Sequence, residues 1–479
     1  MNRRLPAVLA LGVMLLLAGC AVGFQDEAPA PEPADPPTND SLGYYDGYWY
    51  NDTFDIDPST GLTDAEKEAV VSRAMARVQL LRGLEFDDRV DVELITREEF
   101  RDRYGGIGER NASADASALD NAQYEALFLV GPDEDVADVR RANAGENILG
   151  FYSPAEERIV IVSTSDPATL DGELTLAHEL LHALQDQRFG LMSLDGNTTD
   201  AVNARNGLVE GDAVFIERQY ERNCETGEWQ CVRVGDGPGA ATPGDEFHFG
   251  VYFVGFFPYA EGPSFIDYHV GDDWDAVDAM YDDQPRYAAE IIHPETYGSD
   301  VYGDVDLEDR SADDWERVEP SDGPAHAVVG QSGLASMFAY TIYDEFNSSR
   351  VIEPDEFINR DAGGELDPDR PFTYDVSYAD GWSGDRLHVY GDGSETAYVW
   401  KIDWNDADNA TEFYDGYEQV LAHWGAAHVE TRGDAAVYEF DDDGPFDGAL
   451  WVHHDGDRVT VANAPSVDDL GDVYEPAGG

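Results

Sequence analysis

Lysine is nearly absent from this 479-residue chain: Lys67 and Lys401 stand alone. Only 29 basic residues oppose 100 acidic ones, giving a formal net charge of −71. That balance argues against nucleic-acid binding, because phosphates would be repelled rather than neutralised. Such an excess also repels itself at low salt. At molar salt the Debye length falls to about 3 Å and the repulsion largely disappears. The charge therefore reads as adaptation to high salt rather than as a binding surface. Cysteine is scarce too, with Cys20, Cys224 and Cys231 only, which leaves too few ligands for a cysteine-based zinc site. The N-terminal apolar run, Leu5 to Leu17, is too short for a comfortable membrane span. No internal repeat is visible. What remains is globular material, 42% hydrophobic and 11% aromatic, ample for one or two cores.

The first residues read as an export signal over 1–19. Arg3 and Arg4 precede the apolar run, which ends in Leu17-Ala18-Gly19-Cys20. That is a lipobox pattern, with Cys20 as the lipidated first residue of the mature chain. The export route, general or twin-arginine, stays open. Residues 20–60 begin proline- and acid-rich and read as a tether. The expected location is the extracellular face of the cell membrane, held by lipid. In such a compartment Cys224 and Cys231, flanking the polar stretch ETGEWQ, predict a local disulfide. Glycosylation sequons occur at Asn39, Asn51, Asn111, Asn197, Asn347 and Asn409.

The stretch LTLAHELLHALQDQRFGL carries the chemistry. An HExxH run on a helix sets His178 and His182 one turn apart on one face, where both imidazoles reach one Zn²⁺. Glu179 is then placed to take a proton from a water at the metal's open position. Leu176, Leu180 and Leu184 form an apolar stripe on another face, joined by Leu181 and Ala183. Asp171 or Thr175 can cap the helix start, and Gly190 suits its end. A third histidine six residues on is excluded, because Gln185 and Arg188 occupy the positions it would require. The other common solution is a glutamate from a second helix. Glu210, 28 residues after His182 in NARNGLVEGDAVFIERQYERN, fits, and Gly211 beside it permits close helix approach. Glu217 competes from roughly the same face, but its neighbours Arg218, Tyr220 and Arg222 make it read as solvated.

HELLHALQDQ followed by GLVEGDA resembles the gluzincin-type zinc peptidases of bacterial and archaeal cell surfaces. More narrowly, the chain is similar to the haloarchaeal Hvo-type surface proteins. NILGFYSPAEERIVIV, the stretch from FPYAEG to HPETY and YADGWSGDRLHVY also carry the resemblance, which spans roughly residues 60–425. It implies His178, His182 and Glu210 as ligands, Glu179 as general base and a peptide or protein substrate. It also implies an α+β zincin fold in which an edge strand binds substrate by β-augmentation, with the strand around Ile159 to Val162 as candidate. One departure stands out. Many gluzincins place an Asp four residues after the ligand glutamate to orient a zinc histidine; here that position is Val214, and Asp212 sits at the wrong helical angle.

Along the chain, Thr63 to Glu66 is a capping box for a helix to about Arg82. VDVELIT reads as a strand, Thr96 to Glu99 caps a short helix, and NILGFY with RIVIVS reads as a hairpin. The catalytic domain is expected over 61–347, a linker over 348–371 and a small α+β domain over 372–479, its alternative being a lobe of the same unit. His293, in EIIHPETY, is a candidate donor to the reaction's oxyanion, with Tyr297 the weaker one. A structural histidine ending a helix is the plainer interpretation. His453 and His454 are adjacent in a strand, point to opposite faces and cannot share a metal.

Overall fold

The computed structural model describes residues 31–35, 42–57, 61–104, 113–144, 148–166, 168–232, 247–271, 273–312, 314–321, 323–441 and 444–474. The export signal, Cys20, Asn39 and Asn111 lie outside the described residues. The architecture is mixed α+β. In chain order the first half holds β1 (Tyr44–Tyr45), β2 (Tyr48–Trp49), α1 (Asp64–Arg82), β3 (Asp91–Thr96), α2 (Arg97–Tyr104), α3 (Ala114–Ala126), α4 (Val136–Ala144), β4 (Gly150–Ser153), β5 (Arg158–Ser163), α5 (Glu173–Phe189) and α6 (Thr199–Glu225). Then come α7 (Phe249–Val270), α8 (Asp275–Met280), α9 (Ala288–Ile292), β6 (Glu316–Arg317), α10 (Gly330–Tyr340), β7 (Trp382–Gly391), β8 (Thr396–Trp404) and α11 (Ala407–His423). The last elements are β9 (Ala427–Arg432), β10 (Ala435–Glu439), β11 (Ala449–Asp455), β12 (Arg458–Ala464) and α12 (Leu470–Val473).

Helix α1 starts where its capping box sets it: Thr63 accepts from the Glu66 amide and Glu66 returns the bond. It ends on Gly83 at φ 76°, the left-handed conformation that glycine adopts without strain. Residues 42–57, expected in the tether, instead pack on this helix. Tyr48 and Phe54 are buried, Arg77 donates to the Tyr50 carbonyl, and Arg73 donates to that of Asp52. The aromatics of YYDGYWYNDTF supply apolar area that a solvated tether does not carry.

Three strands form a small sheet in the order β3–β5–β4. β4 and β5 make the expected antiparallel hairpin, while β3 pairs parallel to β5, Val92 opposite Ile159. The strand around Ile159 to Val162 is therefore central, not an edge. The parallel crossover through α2, α3 and α4 brings β3 to cover it, and the free edge beside α5 is β4. The Leu176, Leu180 and Leu184 stripe of α5 packs with Ile159, Ile161, Val70, Ala74 and Tyr220.

A buried ionic cluster pins the start of α5. Its first residue, Glu173, accepts from Arg73, from Arg77 at 2.7 Å, from the Tyr220 hydroxyl at 2.5 Å and from the Val232 amide at 2.9 Å. The expected disulfide, Cys224–Cys231, closes the turn that delivers Gln230 and Val232 to this cluster. Asp171 and Thr175 do not cap the helix; Gly172 is the cap residue, and Asp171 binds Thr164 instead. Gly190 ends the helix at φ 71°, as expected.

Gly211 does allow close approach, but of α7 rather than α5. A Cβ on Gly211 would lie 2.5 Å from the Gly262 carbonyl carbon, and one on Gly262 would lie 2.4 Å from the Gly207 oxygen. The two helices thus touch backbone to backbone.

The C-terminal sheet has seven strands in the order β6–β7–β8–β12–β11–β10–β9. Its edge strand β9 is mostly exposed. One apolar core runs without a break from Phe253 and Phe257 on α7 to Trp400, Phe413 and Leu450 on the sheet and α11. Residues 348–371 take part in it and do not form a free linker. Phe357 is fully buried, stacks on Phe372 at 4.9 Å and meets the Phe253 ring at 4.8 Å. Their acidic composition concealed these few anchoring apolar residues.

Candidate metal centre

Helix α5 offers His178 and His182, and α6 offers Glu210. Their Nε2 atoms are 3.1 Å apart, and each is 3.3 Å from Glu210 Oε2. With metal–ligand bonds of about 2.0–2.1 Å, a tetrahedral ion sets its ligand atoms roughly 3.3 Å apart. The triangle fits such an ion. Glu210 Oε2 is buried and has no hydrogen-bond partner, an arrangement that a cation would satisfy.

The far sides of both rings fix which nitrogen is free. His178 Nδ1 is 3.0 Å from Glu217 Oε2, and a carboxylate can only accept, so Nδ1 carries the proton. His182 Nδ1 is 2.9 Å from Gln185 Oε1. The Gln185 amide nitrogen donates to the Val209 carbonyl, to Asp212 and to Tyr281, which orients its oxygen toward the ring. Asp212 is itself fully buried against Arg82. Both Nε2 lone pairs therefore point at one place. They repel each other unless a proton or a metal lies between them.

These contacts answer the departure at Val214. Glu217, read from sequence as solvated, supports His178; one more helical turn replaces the Asp expected four residues after Glu210. Asp212 acts on His182 through Gln185. The seven-residue spacing of Glu210 and Glu217 was the legible signal, outweighed wrongly by the charged neighbours of Glu217. Removing Glu217 (E217A) is expected to weaken zinc binding about 10–100-fold. Competition with a chromogenic chelator measures it, and unchanged affinity would remove Glu217 from this role.

Electrostatics follow the same pattern. Burial alone would lower both imidazoles, but the Glu210 carboxylate beside it and its bond to Glu217 hold His178 well above its usual value, and the charge of Glu210 raises His182. Burial would raise Glu210, but the two imidazoles beside it, His182 first, hold it far below the usual carboxylate range. Burial pushes the Glu179 carboxyl up, opposed by the two imidazoles and by a bond from the Tyr152 backbone on the edge strand β4.

His293 is not part of this group. Its Nε2 lies 3.0 Å from Gln331 Nε2, and it clusters within 4.8 Å of Asp375 and Asp380. Tyr297 donates to the Asp283 carbonyl. The phenol the structure brings to the centre is Tyr259 of α7, in the FPYAEG stretch, to which the sequence attached no chemistry. Its ring stacks on His178 at 6.4 Å and is 36% exposed, at the mouth of the site. The nearby charge of Glu210 first, then burial, push its hydroxyl well above the usual phenol range.

A family model described as a domain of unknown function, DUF8575, matches residues 316–474. That segment begins at β6 and holds α10 and the whole seven-stranded sheet, but none of the three metal-site residues. No curated protein matches the chain. No solved structure matches it either.

Proposed function

We propose that this chain is a zinc metallopeptidase of gluzincin type, held by lipid at Cys20 on the outer face of the membrane. The observation that carries the reading is the triangle of two Nε2 atoms and Glu210 Oε2, with both Nδ1 atoms bound from behind. His178, His182 and Glu210 would hold the ion. Zinc at such a site acts as a Lewis acid, activating water at neutral pH and polarising the scissile carbonyl.

The chain's own groups do the rest. Glu179 is 7% exposed and adjacent in sequence to the first ligand. Its carboxyl, raised by burial, is suited to take a proton from water and pass it to the leaving amine. Tyr259 is placed to donate its hydroxyl proton to the charge that develops on the carbonyl oxygen; it replaces His293 in that role. β4 is an edge strand beside α5, the position at which an extended peptide would add to the sheet.

The alternative is a non-catalytic surface protein on the same scaffold. The buried carboxyl at Glu179 favours the enzyme, since a purely structural site has no use for an ionisable group there. Metal analysis and a peptide-library assay at high salt test the proposal. One zinc per chain and cleavage abolished by chelation are expected. One zinc with no cleavage of any peptide would favour the scaffold.

A further inference from the structure

The buried arginines Arg73 and Arg77 are matched by Glu173 and Arg82 by Asp212, whereas the half-buried Arg317 and Arg386 have no such carboxylate among the described residues. The edge of the seven-stranded sheet breaks the pattern. Arg317 of β6 sits opposite Tyr390 of β7. Ala327 bridges to Leu387, so the preceding residue, His326, falls opposite His388. Side chains alternate along β7, which puts Arg386, His388 and Tyr390 on one face. Arg317, His326, Arg386 and His388 thus share that face.

Among the described residues no carboxylate forms an ion pair with Arg317 or Arg386. The Nε atoms of both are buried without a partner. His388 is 2% exposed, and neither of its ring nitrogens has a partner. A buried imidazole with both nitrogens unsatisfied is costly unless something fills the gap. Burial first, then Arg317, Arg386 and His326, push His388 down to about 3. Asp304 opposes the lowering at His326 and Asp309 that at His388, each more weakly than burial and the arginines act. The arginines outweigh the acids at His326 and His388, whereas Asp309 outweighs Arg317 at Tyr390 on the same face.

We infer that Arg317, His326, Arg386 and His388 form a binding site for a small tetrahedral oxyanion, phosphate or sulfate. The guanidinium groups supply forked donors, and His388 supplies an N–H at the base. The site is separate from the metal centre and does not depend on the peptidase reading.

Equilibrium dialysis of the full chain against labelled inorganic phosphate, at fixed ionic strength in sodium chloride, tests this. Saturable binding of one phosphate per chain is expected, displaced by sulfate. R317Q and R386Q should each weaken it at least tenfold, while H178A leaves it unchanged. If either glutamine variant melts early, R317K and R386K take their place, with the same loss expected from removing the planar fork. Three results would each overturn the site: no saturable binding, equal binding in the arginine variants, or loss of binding in H178A, which would assign the phosphate to the metal centre.

Discussion

Glu179→Gln is expected to retain zinc and lose peptide hydrolysis, with kcat falling about a thousandfold. The amide preserves size and keeps the α5 backbone in place, but it cannot take a proton from water or return one to the amine. General acid–base groups contribute about 10²–10⁴-fold, which sets the scale. The metal should stay because its three ligands and their supports are untouched: Glu217 still holds His178 and Gln185 still holds His182. Zinc content by mass spectrometry and kcat on a peptide substrate, read on the same preparation, check both halves. Equal turnover in wild type and variant would take Glu179 out of the mechanism, whatever the metal does.

The largest expected loss of stability comes from Glu173→Ala. This side chain is 1% exposed and faces Arg73 and Arg77, both fully buried. Deleting it strands two guanidinium groups away from water. Breaking a buried ion pair from one side costs about 3–5 kcal/mol, and here one carboxylate serves two cations. Native domains are stable by about 5–15 kcal/mol, so the variant should melt far below wild type or fail to fold. A denaturant melt at fixed salt measures it. A change within about 0.5 kcal/mol, the range of an ordinary surface substitution, would show that the cluster does not hold α5.

The parts of the fold that were legible are those set by neighbours in sequence. The Thr63–Glu66 box, Gly83 and Gly190 each act within one helical turn, and α1 and α5 begin or end where these residues direct. The β4–β5 hairpin is local in the same sense. What escaped was decided at long range. Whether Ile159 to Val162 lies at an edge depends on β3, which is separated from it in the chain by three helices. The tether was drawn too long because the prolines of residues 20–40 hid the aromatics just beyond them. At the metal centre, HELLH follows from its spacing, and Glu210 was preferred to Glu217 for the small residues beside it. Tyr259 comes from α7, remote in sequence, in a stretch with no chemistry attached to it. His293 drew notice for its residue type, not for its position.

The Gly207, Gly211 and Gly262 crossing has a mechanical consequence. Glu210 precedes Gly211 on α6, and Tyr259 lies three residues before Gly262 on α7. Elsewhere, side chains between two helices act as a cushion whose rotamers can absorb a displacement. Here there is no cushion. A push on α7 reaches α6 through touching main chains, so the ligand and the phenol move together or not at all.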